Sequence, residues 1–196
     1  MKSKVLFFFL TASLSVSCSS DYSPKPKGYF YINLPEPAYH DLTGFPDFKC
    51  SISNLVRIDT LKDDITAEKK KNEIEFNLNY LRYHAQIYCT YFRITPSEFP
   101  GIAEENRRMA YFQAHNAKGI TETAYSCPEQ KVYGLVYEIQ GNTASPVQFV
   151  ISDSTSSFFR GALYFDTACN RDSIAPVLAC INQDIHVMIE SFQWKR

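Results

Sequence analysis

The chain has 196 residues, 45 % apolar and 21 % charged, so the bulk of it is expected to fold rather than stay disordered. Twenty Lys and Arg against 21 Asp and Glu give a formal charge of −1, and no basic excess points to nucleic acid. Thirteen Tyr and 15 Phe against seven Gly favour half-buried pleated surfaces and hence a strand-rich fold.

The N-terminus reads as an export signal. Lys2 and Lys4 precede the apolar run Val5-Leu6-Phe7-Phe8-Phe9-Leu10, small residues follow, and then comes Cys18. The apolar stretch is far shorter than the ~20 residues that a spanning helix needs. Ser17 and Val16 directly before Cys18 resemble a lipobox, although its preferred Leu stands at Leu14 and Ser15 fills its usual slot. Residues 1–17 are therefore expected to be a lipoprotein signal peptide, with Cys18 carrying a diacylglyceryl group and an N-acyl chain such as palmitate. The competing reading is an ordinary signal cut near Ser17. Each buried methylene contributes ~0.8 kcal/mol, so two or more chains anchor durably. Loss of Lys2 and Lys4 lowers the basic count from 20 to 18 against 21 acidic residues, a net −3.

Residues 18–27 carry Pro24 and Pro26 without apolar periodicity and read as an extended tether. Residues 28–196 show no linker or repeat and are expected to form a single α+β domain. Gly28 to Leu34 alternates aromatic and apolar residues and stops at Pro35-Glu36-Pro37. Phe48 to Ile58 alternates again, and a polar run with Glu68-Lys69-Lys70-Lys71 reads as a solvated turn or short helix. Ile74, Phe76, Leu78 and Tyr80 share one face of a half-buried strand, and Gln86 to Ile94 supplies its antiparallel neighbour.

Pro96-Ser97 and Gly119 bracket an amphipathic helix with Ile102, Met109, Ala110, Ala114 and Ala117 near one side. Four strands follow, at Ile120 to Ser126, Val132 to Gln140, Val147 to Ser152 and Phe158 to Asp166. Gly141-Asn142 and Ser152-Asp153-Ser154-Thr155-Ser156 mark hairpins, the first suiting a turn of positive φ. The last helix begins at Asp172 or Ser173, tolerates Pro176 in its first turn, and carries a stripe from Ile174 through Ile181 and Ile185 to Phe192. Neighbouring antiparallel strands with a middle and a terminal helix mean α+β, an antiparallel sheet covered by helices. The order, and the ending Ile189-Glu190-Ser191-Phe192, resembles the PsbP/Mog1-like sandwich.

No catalytic constellation emerges. His40, His84, His115 and His186 are widely spaced, and no GxSxG elbow or phosphate-binding glycine loop occurs. Cys50, Cys89, Cys127, Cys169 and Cys180 form no CxxC pair, and most are expected to be small buried hydrophobes. Their number is odd and their pairing is open. Glu104-Glu105 and Asp63-Asp64 are available carboxylates, but nothing selects one pair. Neither a metal nor a cofactor is expected, and the chain is expected not to be an enzyme.

Several stretches resemble the gliding motility lipoprotein GldD family. They are Pro24 to Phe30 with Ile32 and Leu34-Pro35; Arg108-Met109-Ala110-Tyr111 with His115; and a long run from Tyr133 through Gln148-Phe149, Arg160-Gly161-Ala162-Leu163-Tyr164-Phe165 and Asp172 to Val177, ending at Trp194-Lys195. Relatives often carry a basic residue where Tyr31 stands. The resemblance implies an envelope lipoprotein of the gliding and type IX secretion apparatus, lipidated at Cys18 and working through protein–protein interaction. It also implies envelope protein partners, with an integral membrane companion among them, and no established catalysis. Ser19 rather than Asp after Cys18 favours the periplasmic face of the outer membrane. The alternative is a ligand-binding domain or an enzyme on envelope polymers, using a cavity between sheet and helix. For Arg160, beside Gly161 where backbone approaches closely, two roles stand: holding a structural carboxylate or facing a partner.

Overall fold

A computed structural model describes residues 32–60, 73–141, 143–166 and 171–195. The tether, Cys18, Tyr31, the Glu68–Lys71 run, Asp63-Asp64 and Cys169 lie outside the described residues.

The framework is a seven-stranded antiparallel sheet. Its strands are β4 (Arg57–Thr60), β5 (Glu73–Tyr80), β6 (Ala85–Arg93), β7 (Gly119–Cys127), β8 (Val132–Gln140), β9 (Val147–Ser152) and β10 (Ser157–Phe165). They lie in the order β4-β5-β6-β10-β9-β8-β7, so β10 occupies the middle. Alternation sets the faces: Phe76, Leu78 and Tyr80 of β5 meet Cys89, Ile87 and Ala85 of β6 on the buried face. The anticipated hairpins are present. Gly141 has φ +96°, and the β9–β10 turn is built on Asp153, whose carboxylate accepts from the backbone amides of Thr155, Ser156 and Ser157. Burial opposes ionisation of Asp153, but these bonds and the Ser156 hydroxyl hold its pKa below the usual range.

Two helices complete the fold. α1 (Phe99–Gln113) is shorter than its bracketing residues suggest. It starts beyond Pro96-Ser97, with Glu98 bonding back to Thr95 rather than capping helix amides. It stops well before Gly119, because Gly119 is recruited into β7 opposite Gln140. α2 (Arg171–Glu190) holds Pro176 inside the helix, beyond the first turn where it was expected. The α2 stripe works as expected: Val177, Ile181, Ile185, Met188 and Ile189 are buried against the sheet.

The Phe48–Ile58 alternation resolves into three short strands. These are β2 (Phe48–Lys49), β3 (Ser51–Ser53) and β4. β3 pairs with β1 (Tyr39–Asp41) and lies against α2, while β2 pairs with β11 (Gln193–Trp194) at the other end of the chain. This brings Phe48 into the core. Its ring, fully buried, lies 5.1 Å from Phe45, 5.5 Å from Tyr91, 5.3 Å from Phe159 and 5.3 Å from Phe192. Aromatic pairs at such spacing add about 0.5–1.5 kcal/mol each beyond simple burial. Lys195 tightens the closure, its amide donating to Asp47 O and its ammonium to Phe45 O. Phe48→Ala should therefore lower unfolding free energy by about 3–5 kcal/mol in urea titrations. A loss below about 1 kcal/mol would show that the ring is not the hub described.

Candidate functional site

The core helix and the N-terminal strands cover one face of the sheet. The opposite face carries α1, and the fit there is loose. Of the 15 residues of α1, only Asn106 and Ala110 are buried. Ala110 lies where the sequence placed the apolar side of the helix, but Met109 does not: it is 38 % exposed and borders open space. Between α1 and the sheet lies a half-open cleft of about 690 Å³.

Two rungs of the sheet make its floor. In one, Thr90 of β6, Arg160 of β10 and Val150 of β9 lie side by side. In the next, Tyr88, Ala162, Gln148 and Tyr137 run across four strands. The methyl group of Ala162 between larger neighbours leaves the hollow. Tyr88 and Tyr164 meet edge to face at 5.4 Å on one side. On the helix side Phe112 is 79 % exposed. Tyr111 donates to Glu122 Oε1 at 2.7 Å, tying α1 to β7, and the Thr143 hydroxyl donates to Gln113 O at the end of the helix. Burial, with Glu122 nearby, pushes the Tyr137 phenol up to about 12, so it remains a neutral hydroxyl at ordinary pH.

Arg108 and Arg160 both line the cleft, and the described lining holds no Asp, Glu, Cys or His. Arg93 and Arg107 are ion-paired, with Asp47 and Glu104 respectively. Arg160 has no hydrogen-bond or ion-pair partner among the described residues. Among the described residues, then, no carboxylate is held by Arg160. Its neighbour Gly161 is explained by close approach, but of a ring rather than of backbone. A Cβ there would stand 2.2 Å from Phe149 Cζ, and Phe149 is itself 1 % exposed.

The other singled-out residues stay apart. Glu104 is clamped by Arg107 on an exposed helix surface. His40 pairs with Asn54, and His186 lies 3.9 Å from Glu138. Among the described residues no group of three His, Cys, Asp or Glu side chains is placed to hold a metal. Cys50, Cys89, Cys127 and Cys180 are free thiols. Burial pushes Cys50 up to about 12 and raises Cys89 strongly, which leaves both unreactive. By contrast, three stretches that carried the family resemblance converge on the cleft: Arg108-Met109, Gln148-Phe149 and Arg160 to Tyr164.

The family model described as gliding motility lipoprotein GldD matches residues 19–194. The chain belongs to this family. No curated protein matches it. The family match begins one residue after Cys18 and spans every described strand and helix. It gives this GldD-family chain a gliding-motility, envelope-lipoprotein role in general terms.

A second polar cluster in the GldD-family fold was not visible in the sequence. Asp184 sits on the buried stripe of α2 at 5 % exposure and accepts hydrogen bonds from Tyr39, Ser53 and Tyr80, the last at 3.1 Å. Burial raises its pKa, against the opposing effect of these three donors. The same burial and its bond to Asp184 push Tyr39 up to about 12. The hollow beside it is about 10 Å³, room for at most one water, so the cluster is structural.

Two outcomes follow. Gly161→Ala should cost about 1–3 kcal/mol by overpacking Phe149, and adding Phe149→Leu should recover part of it in urea titrations. No recovery would mean that the ring is not the obstacle. For Asp184, the folded state holds its proton longer than the unfolded chain. Its contribution to stability is therefore largest below pH 3.8 and is lost as pH rises through the raised folded value. Asp184→Asn should remove that loss, so the gap in melting temperature between variant and parent should change across this window and be flat above it. A gap independent of pH would contradict the assignment.

Proposed function

We propose that the chain is a lipid-anchored envelope component of the gliding and type IX secretion apparatus that works by docking on other envelope proteins. The observation that carries this reading is the family match across residues 19–194. The export signal, Cys18 and the Pro-containing tether support attachment to a membrane through acyl chains. No described helix is long and apolar enough to cross a membrane, so the tether is the means of attachment in this reading. Ser19 after Cys18 supports the periplasmic face of the outer membrane. The exposed Phe112 and Tyr111 of α1 offer an aromatic surface to envelope partners, an integral membrane companion among them. Helices on both faces of an antiparallel sheet support the PsbP/Mog1-like comparison.

One observation favours a ligand-binding component within this role: the cleft. An enzyme acting through paired carboxylates or a Cys-His pair gains nothing from it, because its described lining contains none of these groups.

Cys18→Ala should move the protein from the membrane to the soluble envelope fraction and abolish incorporation of labelled palmitate. A photo-crosslinker at Phe112 of the otherwise unaltered chain should capture discrete envelope proteins in living cells. Membrane retention of Cys18→Ala would refute the anchor. Recovery of the uncrosslinked monomer alone would refute docking through α1.

A further inference from the structure

Going beyond a docking role, we infer that the cleft under α1 binds an anionic amphiphile: one oxyanion head, carboxylate or phosphate, on an apolar body. The volume of about 690 Å³ lies within the range of organic-ligand pockets, roughly 300–1,000 Å³.

The sign of the charge is set by the lining, which holds Arg108 and Arg160 and, among its described residues, no carboxylate; Glu104, outside the lining, interacts with Arg108 but not with Arg160 in any described contact. Arg160 is the sharper signal. It stands on the middle strand, half-buried, and lacks an ionic partner among the described residues, whereas Arg93 and Arg107 have found theirs. A guanidinium presents paired N–H groups that match a carboxylate or phosphate. Thr90, opposite Arg160 in the same rung, puts a hydroxyl beside it.

Polarity is graded from floor to rim. Arg160, Thr90 and Gln148 stand on the sheet floor, with Arg108 of α1 as the second charge, while Met109 and Phe112 of α1, at the rim, are 38 % and 79 % exposed. An acid head on Arg160 would lay its apolar body across these side chains and remove them from water. The opposite orientation would set the apolar body against the Arg160 guanidinium and leave that charge unmatched. Two guanidiniums in a cleft closed on its sheet side suit a head of one or two charges, not a polyanion. Ala162 supplies the depth, since a larger side chain there would fill the space between Tyr88 and Gln148.

The test uses the acylated full chain in nanodiscs of zwitterionic lipid and a diazirine-bearing decanoate as photoaffinity probe, with labelled peptides mapped by mass spectrometry. Labelling is expected on α1 or β10. Decyl phosphate should compete, and decanol and decyltrimethylammonium should compete at least about tenfold more weakly. Arg160→Gln should weaken labelling at least about tenfold while leaving the melting temperature unchanged, because among the described residues the side chain has no partner to lose. Arg160→Lys should retain part of the affinity, and Ala162→Phe should abolish labelling. Anionic lipid added to the same discs distinguishes the sources: competition by it assigns the head to a membrane lipid, and its failure to compete assigns the site to a free amphiphile. Labelling that ignores Arg160→Gln, decanol competing as well as decanoate, or label outside the cleft would each overturn the inference.

Discussion

The ring of Phe48 is the point on which the rest of the structure depends. It stands where an N-terminal segment, the strands β5, β6 and β10, and the end of α2 all meet. Segments so far apart in the chain have no local reason to associate. Burial of five aromatic neighbours around one ring supplies the reason, and the β2–β11 pairing with the Lys195 contacts then fixes the register. This cluster gathers most of the core on one face of the sheet, while the α1 face buries fewer side chains, among them Tyr137, Ile139 and Phe158.

That asymmetry is what makes a site available. Along β10, residues alternate between a packed side and an open one: Phe159, Gly161 and Leu163 on the first, Arg160, Ala162 and Tyr164 on the second. Gly161 allows the Phe149 ring to cross the middle strand, and so keeps the packed side dense directly behind Arg160. The charged residue is thus held by backbone that the core makes rigid, although its own side chain has no partner among the described residues. α1 has the opposite character. It is fastened by a few polar contacts, such as Tyr111 to Glu122, and buries little of itself. A rigid floor beneath a lightly held wall is an arrangement that admits a ligand without disturbing the fold.

Asp184 shows that the packed side tolerates a carboxylate only when it is paid for in hydrogen bonds. Three hydroxyls from β1, β3 and β5 converge on it, and in doing so join the small N-terminal sheet to the large one through α2. Among the described residues nothing comparable surrounds Arg160. The contrast separates a polar group used in construction from one left available.

Much of the framework was legible from residue order. The bounds of β8 and β9 agree with the sequence reading, because strict alternation between turn residues leaves one register. The stripe of α2 was equally plain, since 3.6-residue periodicity over five turns has no other use than a core face. The family resemblance likewise came from the sequence, because it is written in contiguous residues, and the family match bears it out; the expected export signal and lipidated Cys18 lie outside the described residues. What only the tertiary structure decided involves partners distant in the chain. β2 and β11 are too short to signal themselves, Gly119 joins a strand only because Gln140 is opposite, and Met109 faces a cleft that exists only once α1 stands off the sheet. Periodicity reports which residues share a side of an element. It does not report what comes to lie against that side, since this depends on the competition for the core that Phe48 and its neighbours resolve.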